Sequence, residues 1–224
     1  MKVRKSTKVL IIIAFALFAA VIIIALCKLT SCSQKLDFSA CFYYVCHEKP
    51  YTESSASSMS SAVESYGGAG YIINCKDDYY VTVSCYYVER DAVTVKNTLK
   101  KKGLSCTVVK AEVDGINLNG RAKRNGQRYV NNLNTLLSLS HICYDLANSM
   151  ETAKTDQNGA KQVLSQVEIT LKGLSRDNST NCFKDELSRL VAECEDASDG
   201  YVFSRDVRRL QIAITDTIVN IRLY

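Results

Sequence analysis

The chain has 224 residues, of which 47% are hydrophobic and 23% are charged, a composition typical of folded proteins. The formal net charge is +5, and the four basic residues that precede Val9 supply +4 of it. What remains is close to neutral, so the charge gives no ground for nucleic-acid binding, and no nucleic-acid partner is expected.

The N-terminal end combines a basic tail with an apolar segment. Residues 1–8 contain four basic residues and no acidic one, whereas Val9–Cys27 contains no charged residue. An apolar run of this length can cross a hydrocarbon core, which needs about 17–25 helical residues. Basic residues in front of such a run keep their end in the cytoplasm. We therefore predict a cytoplasmic tail at 1–8, a single transmembrane helix at 9–27 and an extracytoplasmic remainder at the cell membrane.

A second form of attachment is open at the end of this segment. Leu29–Cys32 is similar to a lipobox, the short motif after which bacterial lipoproteins are cleaved and lipidated on a cysteine. Lys28 adjoins the motif, and the apolar run is long for the core of a signal peptide. The intact helix is the favoured prediction, and a lipoprotein anchored at Cys32 is the alternative.

The cysteines do not indicate a metal site. The chain has ten, and their spacings lack the paired pattern of a zinc site. Several stand where a small hydrophobic residue would suit a strand or a helix, so buried free thiols are the first prediction. Disulfide bonds are the second, because export permits them. We expect neither a metal nor a cofactor.

An internal repeat organises the next part of the chain. Tyr43–Val45 returns as Tyr79–Val81 at an offset of 36 residues, and Gly67 returns as Gly103 at the same offset. Each copy has the pattern strand–helix–strand, with a glycine just after the helix. We therefore predict an α+β fold in which residues 38–112 form a βαββαβ module. This module would be a ferredoxin-like, four-stranded antiparallel sheet with two helices on one face.

The second face of this sheet is a candidate binding surface. If Val81 and Val83 pack on the helices, alternate residues of the strand point to the other side. Sugar rings stack on aromatic faces, so exposed tyrosines would suit a glycan ligand. The alternative is that the C-terminal helices cover this face. The candidate residues, including those added by the repeat, are Tyr44, Cys46, Tyr80, Thr82 and Ser84.

The repeat resembles the SPOR (sporulation-related repeat) domain family. Tyr79–Tyr86, Ala92 and Lys100–Gly103 are similar to the second half of such a domain: a tyrosine-led strand, a helix with an alanine, and Lys-Gly before the last strand. The resemblance implies binding of peptidoglycan glycan strands across the sheet face, in cell division or sporulation. It places the five candidate residues at the family's outward strand positions. The sequence departs from the family at Thr82 and Cys46, which replace longer polar residues.

The C-terminal half changes to a helical period. Residues 113–128 contain three glycines and little apolar periodicity, which predicts a linker. Residues 129–224 contain four amphipathic stretches, which predict a bundle of about four helices, the last capped by Ser204. The stripes begin with Tyr129, Leu133 and Leu136, with Val163, Leu164 and Val167, with Phe183, Leu187 and Leu190, and with Val207, Leu210 and Ile214.

No pattern in the chain indicates an enzyme. The only histidines are His47 and His141, and the pair His141 and Cys143 would point to different sides of a helix. No phosphate-binding loop or nucleophile elbow is present. The resemblance to SPOR domains, taken with the apolar N-terminal segment, implies a membrane-anchored bacterial envelope protein that binds peptidoglycan. The alternative is a non-enzymatic membrane scaffold that contacts division or sporulation proteins through its C-terminal helices and has lost glycan binding.

Overall fold

A computed structural model describes residues 34–48, 51–75, 78–118, 126–177, 180 and 183–221. These residues form an α+β fold in which a four-stranded antiparallel sheet lies between two layers of helices. In chain order the elements are β1 (Gln34–His47), α1 (Glu53–Ser65), β2 (Tyr71–Cys75), β3 (Asp78–Tyr86), α2 (Glu89–Lys101), β4 (Cys106–Leu118), α3 (Gly126–Glu151), α4 (Gln157–Ser175), α5 (Lys184–Ser198) and α6 (Ser204–Asn220).

The sheet has the ferredoxin-like order predicted from the repeat. Its strands follow the order β2-β3-β1-β4, and every neighbouring pair is antiparallel. Strands β1 and β4 pair from Gln34 opposite Leu118 to His47 opposite Cys106. Strand β4 therefore continues six residues into the stretch that the sequence predicts as a linker.

Helices α1 and α2 cover one face of the sheet. Ala56 and Val63 of α1 pack with Val81, and Ala92 of α2 packs with Val45. Each helix ends at a glycine with a left-handed backbone, Gly67 at φ +85° and Gly103 at φ +86°. L-residues rarely adopt this conformation, so these two glycines stop their helices as the repeat predicts.

Helices α3–α6 form the predicted helical region and cover the opposite face of the sheet. One hydrophobic core joins the two parts, because Phe42 and Tyr44 of the sheet belong to the same buried cluster as Leu136 and Ile214 of the helices. Helix α6 is buried over most of its circumference, as expected of a helix placed between a sheet and other helices. Of the two predictions for the second sheet face, the covered one is found.

One prediction about a helix end is wrong. Ser204 is the first residue of α6, and Phe203 occupies the N-cap position without a capping side-chain hydrogen bond. The sequence pattern places the helix start correctly to within one residue, but not its cap.

The predicted fold class needs one correction, because the described residues contain no transmembrane helix. None of the helices among the described residues is both long and apolar enough to cross a membrane. The longest, α3, has 26 residues, and its exposed side carries polar side chains such as Asn131 and Asn134. The sequence segments behind the prediction, 1–8 and Val9–Cys27, lie outside the described residues, as does the alternative lipidation site Cys32.

Candidate functional site

The sheet-face residues predicted from the sequence are buried. Tyr44 is 2% exposed, and Cys46 and Thr82 are completely buried, whereas Tyr80 is half-buried beside the same core. The Thr82 hydroxyl donates a hydrogen bond to the Tyr71 carbonyl at 2.7 Å, so its polar group is used inside the fold. Because helices cover the face, these side chains contact the protein itself.

The electrostatics of these positions agree with enclosure. Burial raises the pKa of the Tyr44 hydroxyl and the pKa of the Cys46 thiol well above their usual values, with smaller contributions from neighbouring groups such as Cys85. Both side chains are therefore neutral near pH 7, where they behave as packing residues. A surface that binds sugar would need their polar atoms to be accessible.

A β-bulge moves Ser84 away from the other four candidates. Ser84 lies opposite Val45, but Thr82 lies opposite Cys46, so Val83 is an extra residue in β3. An extra residue reverses the alternation beyond it. Ser84 consequently shares the face of Val45, under α1 and α2, and Cys85 faces the helices α3–α6 instead. The prediction placed Ser84 on the other side because a regular strand was assumed.

A polar network fastens α5 and α6 to this covered face, which we call the closed sheet face. The Tyr71 hydroxyl donates to Asp216 Oδ2 at 3.2 Å and accepts a hydrogen bond from Arg189 at 2.6 Å. Asn220 donates to the second carboxylate oxygen of Asp216 at 2.9 Å. Burial raises the pKa of Asp216 to about 6, although Tyr71, Arg189 and Asn220 all act in the opposite direction.

A second set of polar contacts lies nearer the middle of the closed sheet face. Gln211 donates from its amide to the Cys85 carbonyl at 3.2 Å and to the Tyr87 hydroxyl at 3.4 Å. Tyr87 in turn donates to Ser140 at 3.0 Å and stacks on His141 with 3.8 Å between ring centroids. These bonds specify one orientation of α3 and α6 on the sheet.

The described residues offer little for nucleophilic or metal chemistry. Burial raises the pKa of the Cys85 thiol to about 12 and that of Cys194 to about 12, which leaves both as thiols. His47 is hydrogen-bonded to Tyr51, and His141 is stacked on Tyr87. Within the described ranges no group of three or more His, Cys, Asp or Glu side chains is arranged to hold a metal ion.

Two exposed aromatic side chains mark a different candidate site. Tyr201 is 63% exposed and Phe203 is 46% exposed, and both precede α6. Their ring centroids lie 4.9 Å apart with 51° between the ring planes. Exposed aromatic residues of this kind are common at protein interfaces. We call this pair, together with the groove beside it, the aromatic end.

The backbone that carries these two rings is held in place. Val202, which stands between them, is completely buried. Gln157 of α4 donates to the Val202 carbonyl at 2.9 Å and accepts from its amide at 2.9 Å. Asp156 caps α4 by accepting from the Gly159 amide at 2.8 Å. The loop is thus fixed to a helix start, and the rings are presented without the loss of backbone freedom that a mobile loop would suffer on binding.

Arg205 supports Phe203 from one side. Its guanidinium carbon lies 4.9 Å from the centre of the Phe203 ring, within the range of a cation–π contact. The same guanidinium donates to the Glu64 carbonyl at 3.3 Å. Arg205 therefore connects the aromatic end to the end of α1, and one face of the Phe203 ring is occupied.

An open groove of about 920 Å³ adjoins the aromatic rings. The loop between α3 and α4 and the loop before α6 line it, with Met150, Lys154 and Thr155 on one side and Tyr201 and Phe203 on the other. Ala153 in this lining has φ +52°, a left-handed conformation that is uncommon for a residue with a Cβ. The lining is partly apolar and partly polar, which suits an apolar side chain flanked by hydrogen-bonding groups.

Comparison with known proteins gives no relative. No family model matches this chain, and neither does any curated protein or any solved structure. The resemblance to SPOR domains therefore rests on the residues quoted above.

Sequence reasoning did not find the aromatic end. The signal available was the run from Tyr201 to Phe203, in which two aromatic residues stand in a connection between amphipathic stretches.

The sequence also contained an indication that helices cover the second face of the sheet. Phe42, Tyr44 and Ile73 make the second face of the sheet as apolar as the first, a composition typical of sheets that are buried on both sides.

Proposed function

We propose that this chain is a non-catalytic binding protein that docks a partner protein at the aromatic end. The observation that carries the proposal is the exposed pair Tyr201 and Phe203 on a backbone held by Gln157. Aromatic side chains that are rigidly displayed supply large contact area at low entropic cost, and they dominate many protein interfaces. This agrees with the scaffold alternative drawn from the sequence.

The geometry of the rings favours a protein over a glycan as the occupant. A sugar ring stacks flat on an aromatic face, but the two rings are inclined by 51° and Arg205 occupies one face of Phe203. The two rings contact each other and form one uneven apolar surface beside the groove, which fits a protruding apolar side chain of a partner protein. The polar groups of Lys154 and Thr155 at the border of the groove can then bond to the partner's backbone.

Peptidoglycan binding through the sheet face stays a prediction, and it requires a change of structure. Helices α3–α6 would have to leave the sheet before a glycan strand reached Tyr44 or Thr82, which are 2% and 0% exposed. Breaking that contact would expose a large apolar surface to water, at about 25 cal/mol for each Å². Nothing in the geometry of the described residues favours this opening.

Membrane attachment also stays a prediction from the sequence. Its basis is the charge-free segment Val9–Cys27 behind a basic tail, with a lipid on Cys32 as the alternative. Fractionation of cells, with protease treatment of spheroplasts, measures whether the C-terminal part lies outside the membrane. A Cys32→Ala variant that is still membrane-bound would exclude the lipid as the anchor.

A photo-crosslinking experiment tests the docking proposal. A benzophenone amino acid is placed at Tyr201 in the full chain, and the matched control carries it at Ile169, which is 61% exposed on α4. We expect a protein adduct of defined mass at position 201 that is absent at position 169. Phe203→Ala should reduce this adduct several-fold, and Ile169→Ala, at a residue 61% exposed on α4, should not.

Two results would contradict the proposal. One is the absence of a protein adduct at position 201, and the other is the same set of adducts at positions 201 and 169. Co-sedimentation of the full chain with purified peptidoglycan runs in parallel. Retention that is lost in Tyr80→Ala and kept in Tyr201→Ala would favour the glycan function instead.

A further inference from the structure

We infer that strand β4 pairs with the β4 strand of a second copy of this chain, which joins the two sheets edge to edge. This inference goes beyond the docking proposal and depends on different residues. It starts from the position of Cys106–Leu118 at the end of the sheet, where β4 pairs with β1 alone among the described strands.

The length of this edge makes it unusual. β4 has 13 residues, whereas the strand at the opposite edge, β2, has five. Proteins that stay monomeric commonly shorten their edge strands or interrupt them, because an edge presents a row of unpaired N–H and C=O groups to other chains. From Cys106 to Asp114, β4 pairs with β1 without a register shift, so this part of the edge is regular.

The charges on this edge are self-complementary about Ala111. Lys110 and Glu112 stand on either side of Ala111, are 52% and 58% exposed, and form an ion pair at 2.7 Å within the strand. Residues two apart in a strand lie on the same face. In an antiparallel pair of identical strands centred on Ala111, Lys110 of each copy faces Glu112 of the other, which gives two attractive cross-strand pairs.

Neighbouring registers are disfavoured by the same charges. Centring the pair on Lys110 would set lysine against lysine. Centring it on Glu112 would set glutamate against glutamate, which offsets the two attractive pairs that Lys110 would then form with Asp114. Like charges directly opposite each other destabilise a strand pair. The two-fold axis through Ala111 lies perpendicular to the sheet. It therefore keeps α1 and α2 of both copies on one side, and the closed sheet faces on the other.

Charge reversal tests the inference on the full chain in detergent. The measurement is the molar mass over a dilution series, by sedimentation equilibrium. We expect wild type to form dimers, and Lys110→Glu or Glu112→Lys to raise the dissociation constant by about tenfold or more, because two attractive pairs become repulsive. The double exchange of Lys110→Glu with Glu112→Lys should restore the wild-type constant, since the charges are again complementary.

Arg90→Glu is the matched control for the change in charge. Arg90 is 88% exposed at the start of α2, and its reversal should leave the dissociation constant unchanged. Circular dichroism of each variant confirms that the fold is kept. A wild-type chain that is monomeric throughout the series overturns the inference. So does a dimer that both single reversals leave intact, or a double exchange that dissociates as readily as the single variants.

Discussion

The hydroxyl of Tyr71 donates a hydrogen bond to the carboxylate of Asp216 across 3.2 Å, and this bond joins β2 to α6 at the closed sheet face. Arg189 donates to the same hydroxyl and lies 5.8 Å from the centre of the Tyr71 ring. One tyrosine thereby links β2 to α5 and α6, two helices that are distant from it in sequence. The carboxylate at the centre of this link makes the stability of the fold sensitive to pH.

We expect the free energy of unfolding to fall as the pH rises through about 6. The pKa of Asp216 is raised to about 6 in the folded chain, mainly by burial, from its ordinary value of 3.8. Between these two pH values the folded state binds more protons than the unfolded state. The stability that protonated Asp216 contributes to the folded state is therefore complete below about pH 4 and lost above pH 6. The free energy of unfolding should therefore fall by at most about 3 kcal/mol between low and high pH, at 1.36 kcal/mol for each pKa unit.

Asp216→Asn should remove this part of the pH dependence. The amide cannot ionise and still offers an oxygen to Tyr71, so the variant should exceed wild type in stability at pH 7.5. Urea unfolding at pH 4.5 and 7.5 measures the change. Asp78→Asn, at an exposed residue at the start of β3, is the control and should keep the wild-type slope. An Asp216→Asn variant with the wild-type slope would show that another group causes it.

Arg208→Ala should lower the free energy of unfolding by about 2–4 kcal/mol. The Arg208 side chain is 8% exposed and donates two hydrogen bonds to the Glu151 carboxylate, both at 2.8 Å. It also donates to Asn148 at 2.8 Å, which fastens α6 to the end of α3. Glu151 is 46% exposed, so water can solvate it after the loss of its partner, which keeps the effect below that of a fully buried pair.

An exposed ion pair provides the comparison for Arg208. Arg90 lies 3.9 Å from Asp91, and the two side chains are 88% and 49% exposed. Arg90→Ala should change the free energy of unfolding by less than about 0.5 kcal/mol, because exposed pairs contribute little. Equal effects at the two positions, measured by urea unfolding, would contradict the structural role assigned to Arg208.

Ala153→Gly should raise the free energy of unfolding by about 0.5–1 kcal/mol. Ala153 follows α3 with φ +52°, where its Cβ is strained and glycine is not. Ala160→Gly is the matched control, because Ala160 is completely buried inside α4. There the same change should lower stability by about 1 kcal/mol or more. Thermal unfolding of both variants measures whether each substitution raises or lowers stability. A loss of stability in Ala153→Gly would refute the strain assigned to Ala153.

Ile214→Ala should destabilise the sheet and the helices α3–α6 together. Ile214 of α6 is completely buried in the core that both parts share. Its truncation should lower the free energy of unfolding by about 2–5 kcal/mol. Tyrosine fluorescence reports mainly on the sheet and far-ultraviolet circular dichroism mainly on the helices. The two signals should keep one common midpoint in urea, and separate midpoints would show that the parts unfold independently.

The repeat made the sheet predictable. Tyr43–Val45 and its copy Tyr79–Val81 identified two equivalent strands, and Gly67 and Gly103 marked the helix ends, because each of these features depends only on residues close in sequence. By its helical period, the apolar stripe of α3 could continue through either Ile142 or Cys143, and the sequence alone does not distinguish the two. The structure buries Cys143 and leaves Ile142 42% exposed.

The position of the candidate site could not be predicted, because it depends on contacts distant in sequence. The bulge at Val83 reversed the side on which Ser84 lies, and strand alternation carries no sign of such an extra residue. Likewise, the contact between Gln157 and Val202 joins two helix starts that the sequence separates by a whole helical hairpin. An amphipathic pattern tells which side of a helix is buried, but not which element buries it.

The central claim, that the second sheet face is closed by helices, is tested most directly by thiol labelling. Cys46 and Cys85 lie on that face and are completely buried, whereas Cys41 and Cys75 of the same sheet are partly exposed. The native full chain is treated with a small maleimide, and the modified cysteines are identified by mass spectrometry. We expect rapid labelling of Cys41 and Cys75, with Cys46 and Cys85 protected until the chain is unfolded in urea. Labelling of Cys46 and Cys85 at the rate of Cys41 would contradict the closed face.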